Sequence, residues 1–375
     1  MRRAPYELVL ESQVPDARPR YHFSTADGVC SKHSFRTSEL LLVEALWERD
    51  LGTVLSVQAN YGVVGTVLAN RAAAVHLSES SARAAHLCEH NAIRNDVDVS
   101  VSLDANIAAR DDTYDTVAYA PKPYTPLSVG KQRIACSLAA LRPGGTLYVV
   151  ASKQTGRTRY EECLREITPH VEILSERNGD VLFSATRPQS FEPPTYVSPR
   201  EIRTRINGTE LSLYTVPGLF SASKLDTGTR LLLETASIDE GQRVLDLCCG
   251  YGAIGTYAAH VADCDVWLSD DDRIATWCAA SSLRASGVDG TIVTADCTEG
   301  IADRTFECIL CNPPTHAGSH VLSELFAGMY DVLAPDRNAT IVHHNELDLR
   351  RYCSQFSTIE TLRMGTEHVI LSLTS

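Results

Sequence analysis

Short apolar runs rich in β-branched residues alternate along this chain with stretches whose apolar positions recur at helical spacing. In the second half, RVLDLC (243–248), CDVWLSD (264–270) and FECILC (306–311) predict strands, and AIGTYAAHVA (253–262), RIATWCAASSLRAS (273–286) and VLSELFAGMYDVLA (321–334) predict helices. Strands alternating with helices indicate an α/β fold, a mostly parallel sheet covered by helices on both faces. Such sheets place ligands outside the carboxyl ends of their strands.

The pattern occurs twice. VLSVQANYGVVGTVLA (54–69) matches VLDLCCGYGAIGTYAA (244–259), and a strand-like segment ending in an acid follows each, Glu79 in one and Asp270 in the other. Further on, TYDTVAYAPKP (113–123) matches TFECILCNPPT (305–315). Ser56 lies 23 residues before Glu79 and Asp246 lies 24 before Asp270; the next intervals, to Ala120 and Asn312, are 41 and 42. Three aligned segments at near-equal spacing predict two domains of one fold. The Pro-rich stretch 187–201 reads as the linker region, giving domains 1–190 and 191–375.

Composition bounds the rest. A chain of 375 residues with 44% hydrophobic and 22% charged residues has the content for two packed cores. It holds no apolar run near the roughly 20 residues that cross a bilayer. MRRAPYELVL lacks the apolar stretch and cleavage site of a signal peptide. A cytoplasmic protein without membrane contact is expected. The 12 cysteines lie mostly in apolar runs, where thiols pack as small hydrophobes. Cys308-x-x-Cys311 has no matching second pair, so no metal site is expected. A net charge of −13 runs against the basic face usual for nucleic-acid binding. Lysine, however, occurs only at positions 32, 122, 131, 153 and 224, and an acidic, Lys-poor surface also suits a high-salt interior, where basic patches gain little affinity.

Candidate chemistry gathers at three strand ends. Asp246-Leu-Cys-Cys-Gly250-Tyr-Gly252-Ala-Ile-Gly255 leaves a strand and opens a helix, with glycines that let a ligand approach the backbone. The glycine spacing alone also fits a dinucleotide-binding turn. The acid four residues before Gly250 and the downstream Asn-Pro-Pro tip the reading toward a methyl donor. Asp270 ends the next strand, with Asp271 beside it; a carboxylate there can accept both hydroxyls of a ribose. Asp296, after TIVTA, can reach an adenine amino group. Asn312-Pro313-Pro314-Thr315-His316 follows an apolar strand. Two prolines stiffen the backbone and are expected to leave its carbonyls without local N–H partners, so that with the Asn side chain they can grip a planar amino group. In-line positioning then carries much of the catalysis.

The 246–255 loop, Asp270 and Asn-Pro-Pro together resemble class I S-adenosylmethionine-dependent methyltransferases acting on planar amino nitrogens. Asn-Pro-Pro-x-His, with Pro217-Gly218-Leu-Phe220-Ser221 leading to Leu225-Asp226-x-Gly228-x-Arg230, is similar to the small-subunit ribosomal RNA guanine-N2 methyltransferases. The resemblance covers nearly the whole chain and implies two tandem Rossmann-like domains, the N-terminal copy degenerate. It implies methyl transfer from S-adenosyl-L-methionine to the exocyclic N2 of a guanosine, with ribosomal RNA or the small ribosomal subunit as partner. Asn312, Pro313, Pro314 and His316 would be catalytic. Asp246, Cys248, Gly250, Gly252, Asp270, Asp271, Asp296 and Asn312 would hold the cofactor, and Phe220, Lys224, Thr315 and His316 the substrate.

Thr315 departs from the family, which commonly has an aromatic residue there to stack on the base; Phe220 or another aromatic is expected to substitute, or the substrate differs. The alternatives are N-methylation of a release-factor glutamine or of adenine N6, and a non-catalytic ribosome-assembly factor. The first copy fails the cofactor tests, having Ser56, Asn60 and Ala120-Pro121-Lys122 where the second has Asp246, Gly250 and Asn312-Pro313-Pro314. It is expected to bind no cofactor and to dock RNA or support the catalytic half, with Lys122, Lys131, Lys153, Arg157 and Arg159 as candidate phosphate contacts.

Overall fold

A computed structural model describes residues 6–12, 14, 16–105 and 113–375. The chain divides into two compact units, Met1–Ser198 and Pro199–Ser375.

The first unit opens on an antiparallel hairpin, β1 (Tyr6–Glu11) and β2 (Arg20–Thr25), and helix α1 (Thr37–Leu46). Then come β3 (Thr53–Val57), α2 (Val63–Leu68), β4 (Ala74–Glu79), α3 (Ala82–Arg94), β5 (Ser100–Leu103) and β6 (Tyr114–Tyr119). The unit closes with α4 (Leu127–Ala140), β7 (Leu141–Ser152), α5 (Arg157–Ile167), β8 (Val171–Arg177) and β9 (Asp180–Thr186). The sheet order is β5-β4-β3-β6-β7-β9-β8. The first five strands are parallel and β9 and β8 pair antiparallel at one edge. Alternate side chains feed two cores, as the period of two requires. Val54, Ala118, Tyr148 and Leu182 pack with α1, α2 and α3, whereas Leu55, Val117, Val149 and Phe183 pack with α4 and α5.

The second unit repeats this plan. Hairpin β10 (Arg200–Ile206) and β11 (Thr209–Thr215) precedes α6 (Thr227–Thr235), β12 (Arg243–Leu247), α7 (Ala253–Val261), β13 (Asp265–Asp270), α8 (Arg273–Ser286), β14 (Thr291–Thr294) and β15 (Phe306–Cys311). The remaining elements are α9 (Ser319–Val332), β16 (Leu333–His344), β17 (Thr358–Met364) and β18 (His368–Thr374). Its sheet order, β14-β13-β12-β15-β16-β18-β17, matches the first strand for strand. Register matches too: Asp246 faces Leu268 and Leu310, as Ser56 faces Leu77 and Ala118. In each sheet the strand order reverses between the first and fourth strands of the parallel series, here β12 and β15, and the crevice at that switch point is where such folds bind ligands.

Two sequence expectations shift. Helix α9 stops at Val332, because Leu333 takes extended backbone and begins β16. The unit boundary falls after Ser198 rather than at 190, because Phe191 and Tyr196 pack on the first unit's core. Gln132 Oε1 also accepts the backbone N–H groups of Tyr196 and Val197, at 2.7 and 3.1 Å. All 12 cysteines are free thiols, and Cys308 and Cys311 are both buried on β15. Among the described residues no helix is long and apolar enough to cross a membrane.

Candidate active site

The loop after β12 is built from its acid upward. Asp246 is fully buried, and its Oδ2 accepts the N–H of Gly255 at 2.8 Å, tying the strand end to the first turn of α7. Among the described residues its other oxygen has no hydrogen-bond partner. Burial pushes its pKa up to about 8, against a smaller opposing effect of the Gly255 N–H. Asp246 therefore shapes the loop from below. Gly252 has φ +79°, and a Cβ there would sit 2.9 Å from Ala279 Cβ, so both conformation and packing demand glycine. A Cβ on Gly250 would meet none of the described residues within 4 Å. That open space above the loop suits the close approach of a ligand. Cys248 also has positive φ, and the neighbouring Cys311 thiol together with burial pushes its pKa up.

Asp270 stands at the end of β13 beside this loop. Its Oδ2 accepts Gly250 N–H and its Oδ1 accepts Asp272 N–H, both at 2.9 Å. Burial pushes its pKa up to about 7, while those two N–H groups pull it down. Asp271 is half-buried next to it, and Asp272 caps α8 by accepting Ile274 N–H. Ala295 donates to the Asp270 carbonyl, which brings the half-buried Asp296 alongside the same strand end. Asp270, Asp271 and Asp296 thus stand at neighbouring strand ends, with Asp270 bonded to the glycine loop.

Asn312 follows β15 on the other side of the switch point. Its Nδ2 donates to Asp226 Oδ2 at 3.2 Å and to Thr229 Oγ1 at 2.9 Å. Asp226 is the N-cap of α6, where its Oδ2 also accepts Thr229 N–H at 2.8 Å and Thr229 Oγ1–H at 3.3 Å. The expectation that the proline carbonyls lack local partners is corrected. Thr315 N–H reaches the Pro313 carbonyl and Ala317 N–H the Pro314 carbonyl, both at 2.9 Å, because the chain turns immediately after the second proline. A carbonyl has two lone pairs, so Pro313 keeps one acceptor position. Pro313 is buried, Thr315 half-buried, and Pro314 and His316 exposed. Phe220, 65% exposed, and the exposed Lys224 lie on the loop between β11 and α6 that leads into Asp226.

Asp226 and Thr229 are the site residues that reading for strand-end motifs assigned no role. Their signal was present as Asp-x-x-Thr, an N-cap pattern before a helix. Their contact with Asn312, more than 80 residues away, requires the fold.

In the first copy the counterparts of Asp270, Gly250, Asp226 and the Asn-Pro-Pro segment are engaged by the unit's own groups. Glu79 is 3% exposed and accepts Asn60 N–H and Ser80 N–H, at 2.5 and 3.1 Å. Lys122 Nζ donates to it at 3.1 Å. Asn60 exchanges two hydrogen bonds with the backbone of Cys30, at 2.9 and 3.1 Å. Arg36 stands where Asp226 does, and its guanidinium donates to the carbonyls of Ala120 and Pro121, with the shortest bond 2.6 Å. Lys122 is therefore withdrawn as a phosphate contact: it is 7% exposed and neutralises a buried carboxylate. Arg157 and Arg159 sit at the surface in ion pairs with Glu176 and Glu162, and Lys131 lies over the Tyr196 ring.

The family model described as methyltransferase small domain matches this chain twice, over residues 20–184 and 210–372. A ribosomal RNA small subunit methyltransferase C of Pseudoalteromonas atlantica is 27% identical over 249 residues, covering 64% of this chain and 71% of that protein. One from Pseudomonas aeruginosa is 30% identical over 188 residues, covering 50% of this chain and 56% of that one. Among solved structures, a T. thermophilus 16S rRNA N2 G1207 methyltransferase in complex with AdoMet and guanosine superposes with TM-score 0.81 over 98% of both chains, at 21% identity, and so has the same fold. With an acid-marked glycine loop and an Asn-Pro-Pro strand end intact in one of its two matching halves, the chain belongs to the methyltransferase small domain family and is an S-adenosyl-L-methionine-dependent methyltransferase.

Proposed function

We propose that this enzyme methylates the exocyclic N2 of a guanosine in RNA, with 16S ribosomal RNA or the small ribosomal subunit as substrate. The observation that carries the reading is the edge formed by Asn312 and Pro313. Asn312 Oδ1 receives no hydrogen bond from the described residues, while its twin position in the first copy is capped by Arg36. An amino group on a purine offers two N–H donors that match Oδ1 and the remaining lone pair of the Pro313 carbonyl. The names of the relatives and the guanosine in the T. thermophilus structure point to the same substrate.

S-adenosyl-L-methionine, when bound, supplies the electrophilic methyl group. The glycine loop and Asp270 would hold its nucleoside, with Asp271 and Asp296 alongside. The amine nitrogen is a poor nucleophile because its lone pair is delocalised into the ring. Two accepted hydrogen bonds draw its protons into the Asn312–Pro313 edge and leave the lone pair free to align with the methyl group. Once alkylated, the nitrogen loses its proton to solvent, and no strong base is required. With Thr315 where a stacking ring is common, the exposed Phe220 supplies the aromatic face. An unstacked base is easier to present than one that must be flipped from a duplex. The first copy supports the catalytic unit or docks RNA, and binds no cofactor.

The test is incubation with labelled cofactor and, separately, small ribosomal subunits, naked 16S RNA, tRNA and release factor, followed by digestion to nucleosides. The expected product is N2-methylguanosine, reduced about a hundredfold or more in Asn312→Ala. Label found only in protein, or only in N6-methyladenosine, would overturn the reading.

A further inference from the structure

We propose that Asp226 and Thr229 are positioning residues that lock the polarity of the Asn312 amide, so that this side chain can present only an acceptor to the substrate. An asparagine side chain is nearly symmetric in shape, and a 180° flip exchanges its acceptor for two donors. Here Nδ2 faces two acceptors, Thr229 Oγ1 at 2.9 Å and Asp226 Oδ2 at 3.2 Å, and a flip would bring an oxygen against both. The Thr229 hydroxyl cannot turn round to favour the flipped amide without losing its own bond to Asp226 Oδ2, at 3.3 Å. Asp226 Oδ2 already accepts from the Thr229 N–H and hydroxyl, so a flipped Oδ1 would face a second acceptor. The chain of donors runs one way, from Asn312 through Thr229 to Asp226, and helix α6 holds its end through the cap at 2.8 Å.

The first copy is an internal contrast. There Arg36 and Glu39 replace Asp226 and Thr229, Ala120 replaces Asn312, and the arginine consumes the strand-end carbonyls. The lock and the amide it holds are absent together. The inference rests on the methyl-transfer reading for its consequence, selection of an N–H donor, but the orientation itself can be measured without any substrate.

In the full-length protein labelled with nitrogen-15, the Asn312 side-chain amide protons, assigned by their loss in Asn312→Asp, are expected to exchange slowly with solvent. In Asp226→Ser and Thr229→Val exchange should accelerate by about tenfold or more, the factor that about 1.4 kcal/mol represents. Thr229→Ser, which keeps the hydroxyl, should restore protection. Serine and asparagine both cap helices, so Asp226→Ser and Asp226→Asn retain α6. Steady-state methylation should show kcat falling in both, with cofactor affinity by calorimetry and melting temperature unchanged; a merely structural role would lower all three. Unchanged amide exchange in Asp226→Ser and Thr229→Val overturns the inference whatever the substrate. Accelerated exchange in an enzyme whose wild type makes no N2-methylguanosine sustains the lock and removes the guanine reading.

Discussion

At the scale of single residues, Asp246 separates two roles that a motif merges. The position was expected to hold the cofactor, yet its carboxyl lies wholly beneath the loop and spends its one hydrogen bond on Gly255. With a pKa near 8 in the folded chain against 3.8 for the ordinary carboxyl, folding takes up a proton between those values. A raised folded-state value means the contribution to stability is full below about pH 4 and is lost as pH rises toward 8. The slope is about 1.4 kcal/mol per pH unit inside that window. Asp246→Asn keeps an acceptor for Gly255 and cannot ionise. Its melting temperature should match wild type near pH 4 and exceed it progressively up to pH 8, in calorimetric scans across that range. Parallel profiles for the two proteins would refute the buried neutral acid.

At the scale of elements, the three strand ends were legible in the sequence because each is local: an apolar run, then an acid or Asn-Pro-Pro, at an interval repeated within the chain. The strands β12, β13 and β15 and helices α7 and α8 lie where periodicity placed them, and the overrun of α9 reflects an apolar run that continues from helix into strand. What could not be read was pairing across the sheet. Lys122 looked like a surface cation because the sequence gives no sign that β4 and β6 bring it to Glu79, 43 residues away. The pair is buried, so its partners depend on each other: losing one leaves the other charged without a counterion. Lys122→Met should destabilise the first unit by about 3–5 kcal/mol. Adding Glu79→Gln, which still accepts from Asn60 N–H, should recover most of that loss. Hydrogen exchange of the β3, β4 and β6 amides in the full chain reads the difference. Equal exchange in wild type and Lys122→Met would mean the ion pair contributes nothing.

At the scale of the whole molecule, duplication makes one sequence its own control. Two sheets share strand order and register, so differences between their crevices arise from side chains and not from architecture. Among the described residues, the space above Gly250 in the second copy is open, Asp270 faces it, and Asn312 Oδ1 receives no hydrogen bond. In the first, Asn60 occupies the loop, Lys122 neutralises Glu79, and Arg36 covers the strand end. The first crevice is therefore filled by groups that satisfy one another, and a ligand entering it would have to break a buried ion pair. It follows that the full chain should bind one S-adenosyl-L-methionine, not two. Isothermal titration should give a stoichiometry near one. Asp270→Ala should abolish the binding, whereas Arg159→Ala, in an exposed surface pair of the first unit, should leave it unchanged. Two equivalents bound, or binding that survives Asp270→Ala, would place a working cofactor site in the copy that its own side chains fill.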